Sequence, residues 1–103
     1  MVLYEVSLAV DAEIAEAYAA WLAPHIAEML ALDAFTHAMW YDVEGDDPAR
    51  VHWCVQYRAR DRGALQAYLD RDAARMRGDG LSRFRGRFTA TRRVLTSRPS
   101  GGG

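Results

Sequence analysis

The chain predicts an α+β fold in the order β-α-β-β-α-β, a four-stranded antiparallel sheet with two helices on one face. Three observations lead there. Val2–Val10 and Val51–Ala59 alternate apolar and polar residues with the period of two that a half-buried strand needs. After each of them, apolar residues recur every three or four positions, the spacing of a helix buried along one stripe. Turn-forming clusters separate these patterns, with no repeat and no sign of a second domain. This order is the split βαβ, or ferredoxin-like, plan.

In the first strand Val2, Tyr4, Val6, Leu8 and Val10 form one row, and Leu3, Glu5, Ser7 and Ala9 the other. Asp11 is placed to cap a helix whose first turn carries Glu13. Ile14, Tyr18, Trp21, Leu22, Ile26, Met29 and Leu30 mark the buried stripe of that helix. Pro24 lies inside it; a proline removes a backbone donor and crowds the preceding turn, predicting a kink or restart near Ala23. Phe35–Val43 follows as the second strand, and Glu44–Pro48 as an acidic turn. Phe35, His37, Met39 and Tyr41 make one row of that strand, Thr36, Ala38, Trp40 and Asp42 the other, and the pattern leaves open which row meets the helices. The third strand sets Val51, Trp53, Val55 and Tyr57 against His52, Cys54, Gln56 and Arg58. Asp61 caps a second helix with Leu65, Tyr68, Leu69, Ala73 and Met76 inside, and Gly78 and Gly80 are expected to stop it. Phe84–Leu95 completes the sheet, with Gly86 read as a bulge. The expected organisation is one domain over residues 1–96 and a flexible tail over 97–103.

With both helices on one face, the other face is open. Glu5, Ser7, His52, Cys54, Gln56, Arg58, Thr89, Thr91 and Arg93 are expected there. A half-apolar open sheet calls for a partner, and a two-fold homodimer, sheet against sheet, supplies one.

A chain of 103 residues has room for one core. A single cysteine forms no internal disulfide, so a reducing, cytoplasmic setting is expected. The first residues lack a basic leader pattern, and no apolar run is long enough to span a bilayer. Charge is segregated. All 13 basic residues are arginines at or after Arg50, while ten of the 14 acids lie at or before Asp47, so the halves carry −10 and +9. The basic half raises RNA binding as a reading. The expectation is that the halves neutralise each other within the fold or across a dimer, because no strand carries stacked aromatics of the kind that hold single-stranded RNA. Without lysine, Schiff-base chemistry and a phosphate-loop lysine are excluded.

The stretches "YEVSLAVDAEIAEAYAAWLAPHIAEML", "CVQYRARDRGALQAYL" and "RMRGDGLSRFRGRFTATRRVL" together resemble a small bacterial family known as domain of unknown function 4286. In plan the chain is also similar to the dimeric α+β barrel superfamily, which includes cofactor-independent monooxygenases, muconolactone-isomerase-like proteins and stress-response barrels. The resemblance covers all but the acidic turn and the tail. It implies the barrel fold and the dimer, and it brings no catalytic residues.

Two constellations are candidates for chemistry. His25 and Glu28 stand one helical turn apart, with Trp21 a turn before them. Related barrels keep a pocket between helix and sheet. There His25 is the candidate general base, with Tyr18, Trp21 and Tyr57 as ligand-binding walls. The preferred alternative is a helix-edge histidine hydrogen-bonded near Pro24. Two ligands make a weak metal site, so no metal and no cofactor are expected. Cys54 with His52, or with His37 across a strand pair, is the other candidate. Residues two apart on a strand lie about 6–7 Å apart, beyond the contact that activates a thiolate, so a small half-buried thiol is preferred. Arg83, Arg85 and Arg87 share a face if the last strand begins at Phe84, and are expected to meet the acidic front half, including Asp42–Asp47.

The leading reading is a homodimeric barrel that binds a small, partly apolar ligand or acts as an interaction module. The alternatives are a cofactor-independent monooxygenase or isomerase, and last an RNA-binding module. Absence of RNA binding is expected.

Overall fold

The computed structural model describes residues 1–99. Its elements are β1 (Val2–Asp11), a 3-10 turn (Ala12–Ile14), α1 (Ala15–Ala31), β2 (Phe35–Asp42), β3 (Arg50–Ala59), α2 (Arg62–Arg71), α3 (Ala73–Phe84) and β4 (Phe88–Thr96). The strands form one antiparallel sheet in the order β2-β3-β1-β4. This is the ferredoxin-like arrangement expected from the alternation.

Register explains how the layers divide. Tyr4 pairs with Tyr57, Val6 with Val55 and Leu8 with Trp53, and on the other side Leu8 pairs with Ala90 and Val10 with Phe88. That inner row meets Tyr18, Leu22 and Met29 of α1, Leu65 and Tyr68 of α2, and Ala73 and Met76 of α3 in one core. Met29, Val10, Val55 and Leu65 are sealed from solvent, each contributing about 1.5–3 kcal/mol of transfer free energy. The opposite row is the open face. Glu5 there lies between Gln56 and Arg93, Ser7 between Cys54 and Thr91, and Ala9 between His52 and Thr89.

β2 divides its two sequence rows between the faces. The ladder slips between Phe35, opposite Ala59, and His37, opposite Arg58, so Thr36 is an extra residue at a bulge. Phe35, Ala38 and Trp40 therefore face the helices, and His37, Met39 and Tyr41 the open side. A one-residue slip turns every later side chain over.

Several local expectations are corrected. The second helix is two, α2 and α3, so three helices cover the sheet. They meet at Asp72, whose N–H reaches the Tyr68 carbonyl at 2.9 Å and whose carboxylate holds Arg75 at 3.0 Å. An aspartate that bonds locally is a weak helix-interior residue and a natural junction. Gly78 and Gly80 do not stop a helix; α3 passes through both to Phe84. The left-handed glycine is Gly86, with φ +77°, and it is no strand bulge: it turns the chain from α3 into β4. β4 thus starts at Phe88, and Arg83, Arg85 and Arg87 form no strand row. Asp11 makes no helix cap with its side chain, because its carboxylate is held by Arg87 at 2.9 Å and Arg50 at 3.5 Å. No restart occurs at Pro24. α1 runs unbroken past it, and Ala20, whose carbonyl loses its donor, is exposed where water can take the bond. Asp61 does cap α2, accepting the Ala64 N–H at 2.7 Å.

The segregated charges meet within the fold. Among the described residues five ion pairs join the acidic half to the arginine half: Asp11 to Arg50 and to Arg87, Glu13 to Arg87, Asp33 to Arg60, and Glu5 to Arg93. The acidic turn takes no arginine among the described residues; Asp42 accepts from the Trp53 indole at 2.9 Å and Asp47 from the Ala49 N–H at 2.9 Å. Ser97 is tied to Met1: its N–H donates to the Met1 carbonyl at 2.9 Å, and its hydroxyl oxygen accepts from the Met1 amino group at 2.8 Å. Of the expected tail over 97–103, residues 100–103 lie outside the described residues.

Candidate functional site

Between α1, α3 and the inner rows of β1, β3 and β4 lies a cavity of about 160 Å³. Tyr18, Trp21, His25 and Tyr57, the residues singled out in the sequence, all line it. Its floor is Tyr4, Leu8, Val55 and Tyr57; Leu22 and Met29 roof it. Of the lining residues only Leu81 and Arg92 are exposed, so the mouth opens between α3 and the edge strand β4.

The α1 wall is an aromatic stack. Tyr18 meets Trp21 at 5.3 Å, Phe84 at 4.9 Å and Phe88 at 5.1 Å between ring centres. Trp21 stacks on His25 at 4.5 Å with 23° between planes, the result of their spacing of four along the helix. The Trp21 Nε1–H donates to Asp79 at 2.6 Å, and Asp79 also takes Arg83 at 3.2 Å. Those hydrogen bonds hold the Asp79 carboxyl below its ordinary value. α3 comes close enough for this because Gly80 has no side chain: a Cβ there would stand 2.8 Å from Trp21 Cη2.

The titrating groups of the cavity are tuned mainly by burial. It lowers the pKa of His25, opposed by the charges of Glu28 and Asp79, so the ring is neutral near pH 7 and able to accept a proton. It raises the phenols of Tyr18 and Tyr68 to about 12 each, and that of Tyr57 further still. They are donors, not bases. His25 makes no hydrogen bond among the described residues, so the histidine bonded near Pro24 that the sequence favoured is not what the fold builds. Both charged lining residues were missed: Arg92, inward-facing beside Ala90 on β4, and Arg77, which donates to the Tyr4 hydroxyl at 2.8 Å. The strand alternation that put Thr91 and Arg93 on the open face already placed Arg92 inside.

The cysteine candidate does not assemble. Cys54 lies opposite Ser7 and Tyr41, while His37 lies opposite Arg58. Burial, then the Glu5 charge, raises the thiol pKa, the reverse of what a nucleophile needs. Among the described residues no three His, Cys, Asp or Glu side chains gather as a metal centre, and no helix is long and apolar enough to cross a membrane.

Fold and cavity together define a ferredoxin-like α+β domain with a partly apolar chamber between its helices and its sheet. The chain belongs to the family described as domain of unknown function (DUF4286), whose model matches residues 1–98. No curated protein matches it. Among solved structures it is similar to HapK from Hahella chejuensis (18% identity, TM-score 0.69, covering 100% of this chain and 98% of that one). It is also similar to SnoaB, a cofactor-independent oxygenase from Streptomyces nogalater (13% identity, TM-score 0.67, 99% and 98% covered). An antibiotic biosynthesis monooxygenase is a third neighbour (14% identity, TM-score 0.65, 96% and 100% covered). At such identities the likeness is one of fold.

Proposed function

We propose that the chain is a homodimeric α+β barrel of the bacterial cytoplasm that binds a small, partly apolar molecule in the cavity beside Trp21. In this reading residues 1–96 are the domain, 97–103 a tail, and Tyr18, Trp21, His25 and Tyr57 the ligand-binding residues. The observation that carries it is the cavity itself: an apolar chamber with a few convergent polar groups is the usual form of a small-molecule site. The dimer is supported by the open sheet face, where Met39 is 57% and Tyr41 43% exposed on β2. A second copy would cover them. Five ion pairs between the charged halves neutralise part of the arginine charge within the fold, which weighs against the RNA reading.

Two measurements test this. Light scattering behind size-exclusion chromatography is expected to give about twice the 11.6 kDa chain mass, and Met39→Glu with Tyr41→Glu to return it to one; a wild-type monomer removes the dimer. Ala90→Trp fills the chamber from β4, so it should abolish uptake of a fluorescent apolar probe by the folded protein. Uptake unchanged by that substitution would place the probe elsewhere and remove the cavity reading.

A second reading, a cofactor-independent monooxygenase or isomerase, is favoured by His25: an imidazole kept neutral by burial and stacked on Trp21 in the cavity wall is the one base such chemistry requires. The likeness to SnoaB, described as a cofactor-independent oxygenase, supports it. Turnover of any substrate that survives His25→Ala undiminished would end this reading.

A further inference from the structure

Among the described residues no carboxylate lines the cavity. Its ionisable lining is four tyrosines, His25, Arg77 and Arg92. Arg92 makes no ion pair or hydrogen bond among the described residues, and exposed arginines such as Arg58 share that property. Arg77 does not resemble them: it is half-buried in α3, one guanidinium nitrogen bonds the Tyr4 hydroxyl at 2.8 Å, and its Nε is buried with no partner. A buried, unpartnered donor on a cation is costly to keep. The nearby acids are engaged elsewhere or lie outside the lining: Asp79 holds Trp21 and Arg83, and Glu28 is exposed and does not line the cavity.

We propose, extending the ligand-binding reading, that the cavity takes an aromatic carboxylic acid of single-ring size, its carboxylate meeting Arg92 and Arg77 at the mouth and its ring lying inward. Charge sets the first half of this. Two guanidinium groups facing one apolar chamber leave positive charge for the ligand to neutralise, and guanidinium matches a carboxylate with paired hydrogen bonds. The walls set the second. Beyond the mouth the chamber is lined by Leu22, Met29, Val55 and Met76 with phenol rings between them, which offers an inorganic anion nothing. Size sets the third: about 160 Å³ is close to the roughly 150 Å³ of an engineered cavity that holds benzene.

The test is an NMR titration of the intact protein at pH 7 with three probes: benzoate, its neutral isostere benzamide, and inorganic phosphate. Benzoate is expected to shift Leu22 and Met76 and to bind about tenfold tighter than benzamide, the scale of a charge-assisted hydrogen bond. Arg92→Gln, at an exposed and unpaired position, should close most of that gap, whereas Arg62→Gln on α2 should leave it open. Benzamide binding as tightly as benzoate overturns the inference while the cavity reading stands. Phosphate binding as tightly as benzoate overturns it too, in favour of a simple anion site. Failure of all three to shift Leu22 or Met76 removes both the inference and the cavity reading.

Discussion

Replacing Gly80 by alanine should destabilise the protein, although alanine is the better helix former. The added Cβ would stand 2.8 Å from Cη2 of Trp21, 3.3 Å from Cζ2 and 3.4 Å from Cζ3. Several contacts fix the indole in place. Its N–H is held by Asp79 at 2.6 Å, one face stacks on His25 at 4.5 Å, and Tyr18 and Phe84 lie 5.3 and 6.0 Å away. Overpacking of this kind costs about 1–3 kcal/mol, against about 1 kcal/mol gained from helix propensity. Gly78, two residues earlier in the same helix, is the control, since a Cβ there meets nothing within 4 Å. Gly78→Ala should therefore be stabilising by about 0.5–1 kcal/mol, and the two alanine variants should differ by about 1–3 kcal/mol. In a domain of this size each kcal/mol moves Tm by about 4–8 °C. Scanning calorimetry of the two variants beside the wild type should put Gly78→Ala above it and Gly80→Ala at or below it. Two variants rising together would refute the argument that α3 is glycine-bearing at 80 so that it can approach Trp21.

Asp61→Ala should cost about 1 kcal/mol, read from urea midpoints, because it removes the cap on the Ala64 N–H. Hydrogen bonds from Gln56 and Arg93 hold the Glu5 carboxyl below its ordinary 4.5. The folded state binds that proton less readily than the unfolded chain, so its share of stability is present above pH 4.5 and is lost as pH falls through the folded value; Glu5→Gln should flatten that part of a urea-against-pH profile, and an unchanged slope would show the carboxylate is not held. His25 should titrate below 6.5 by NMR, moving lower in Glu28→Gln as an attractive charge is removed. Its neutral form supports the fold above pH 6.5, and that share declines as pH drops from 6.5 through the folded value. A midpoint at or above 6.5 would show that burial does not dominate the environment of the ring.

The parts of the fold legible in the sequence are those where one local rule acts alone. β1 and β3 alternate without interruption, so both their faces, including the Glu5–Gln56–Arg93 group on the open side, follow from period alone. The parts that were not legible depend on a second chain segment. Gly80 looks like a helix stop until Trp21 is seen lying on it. Asp11 looks like a cap until Arg50 and Arg87 arrive from far along the chain to occupy its carboxylate. The site shows the same division. Tyr18, Trp21 and His25 share a helical stripe and could be named together, and Tyr57 lies on the inner row of β3. Arg77 was hidden because a charged residue beside buried Met76 reads as a solvated flank. Its placement against Tyr4 is a tertiary fact.

The slip at Thr36 bears on how this strand tolerates gain and loss of residues. Counting from Phe35, β2 without Thr36 would read Phe, His, Ala, Met, Trp, Tyr, a strict alternation that already matches the faces the strand presents. Thr36 is thus the one position in β2 outside the ladder's count. Its deletion should be absorbed with the sheet intact and both faces unchanged. Loss of a single residue between Ala38 and Tyr41 would instead exchange the two faces of everything beyond it. The strand carries its own reading frame, and the frame is set at one threonine.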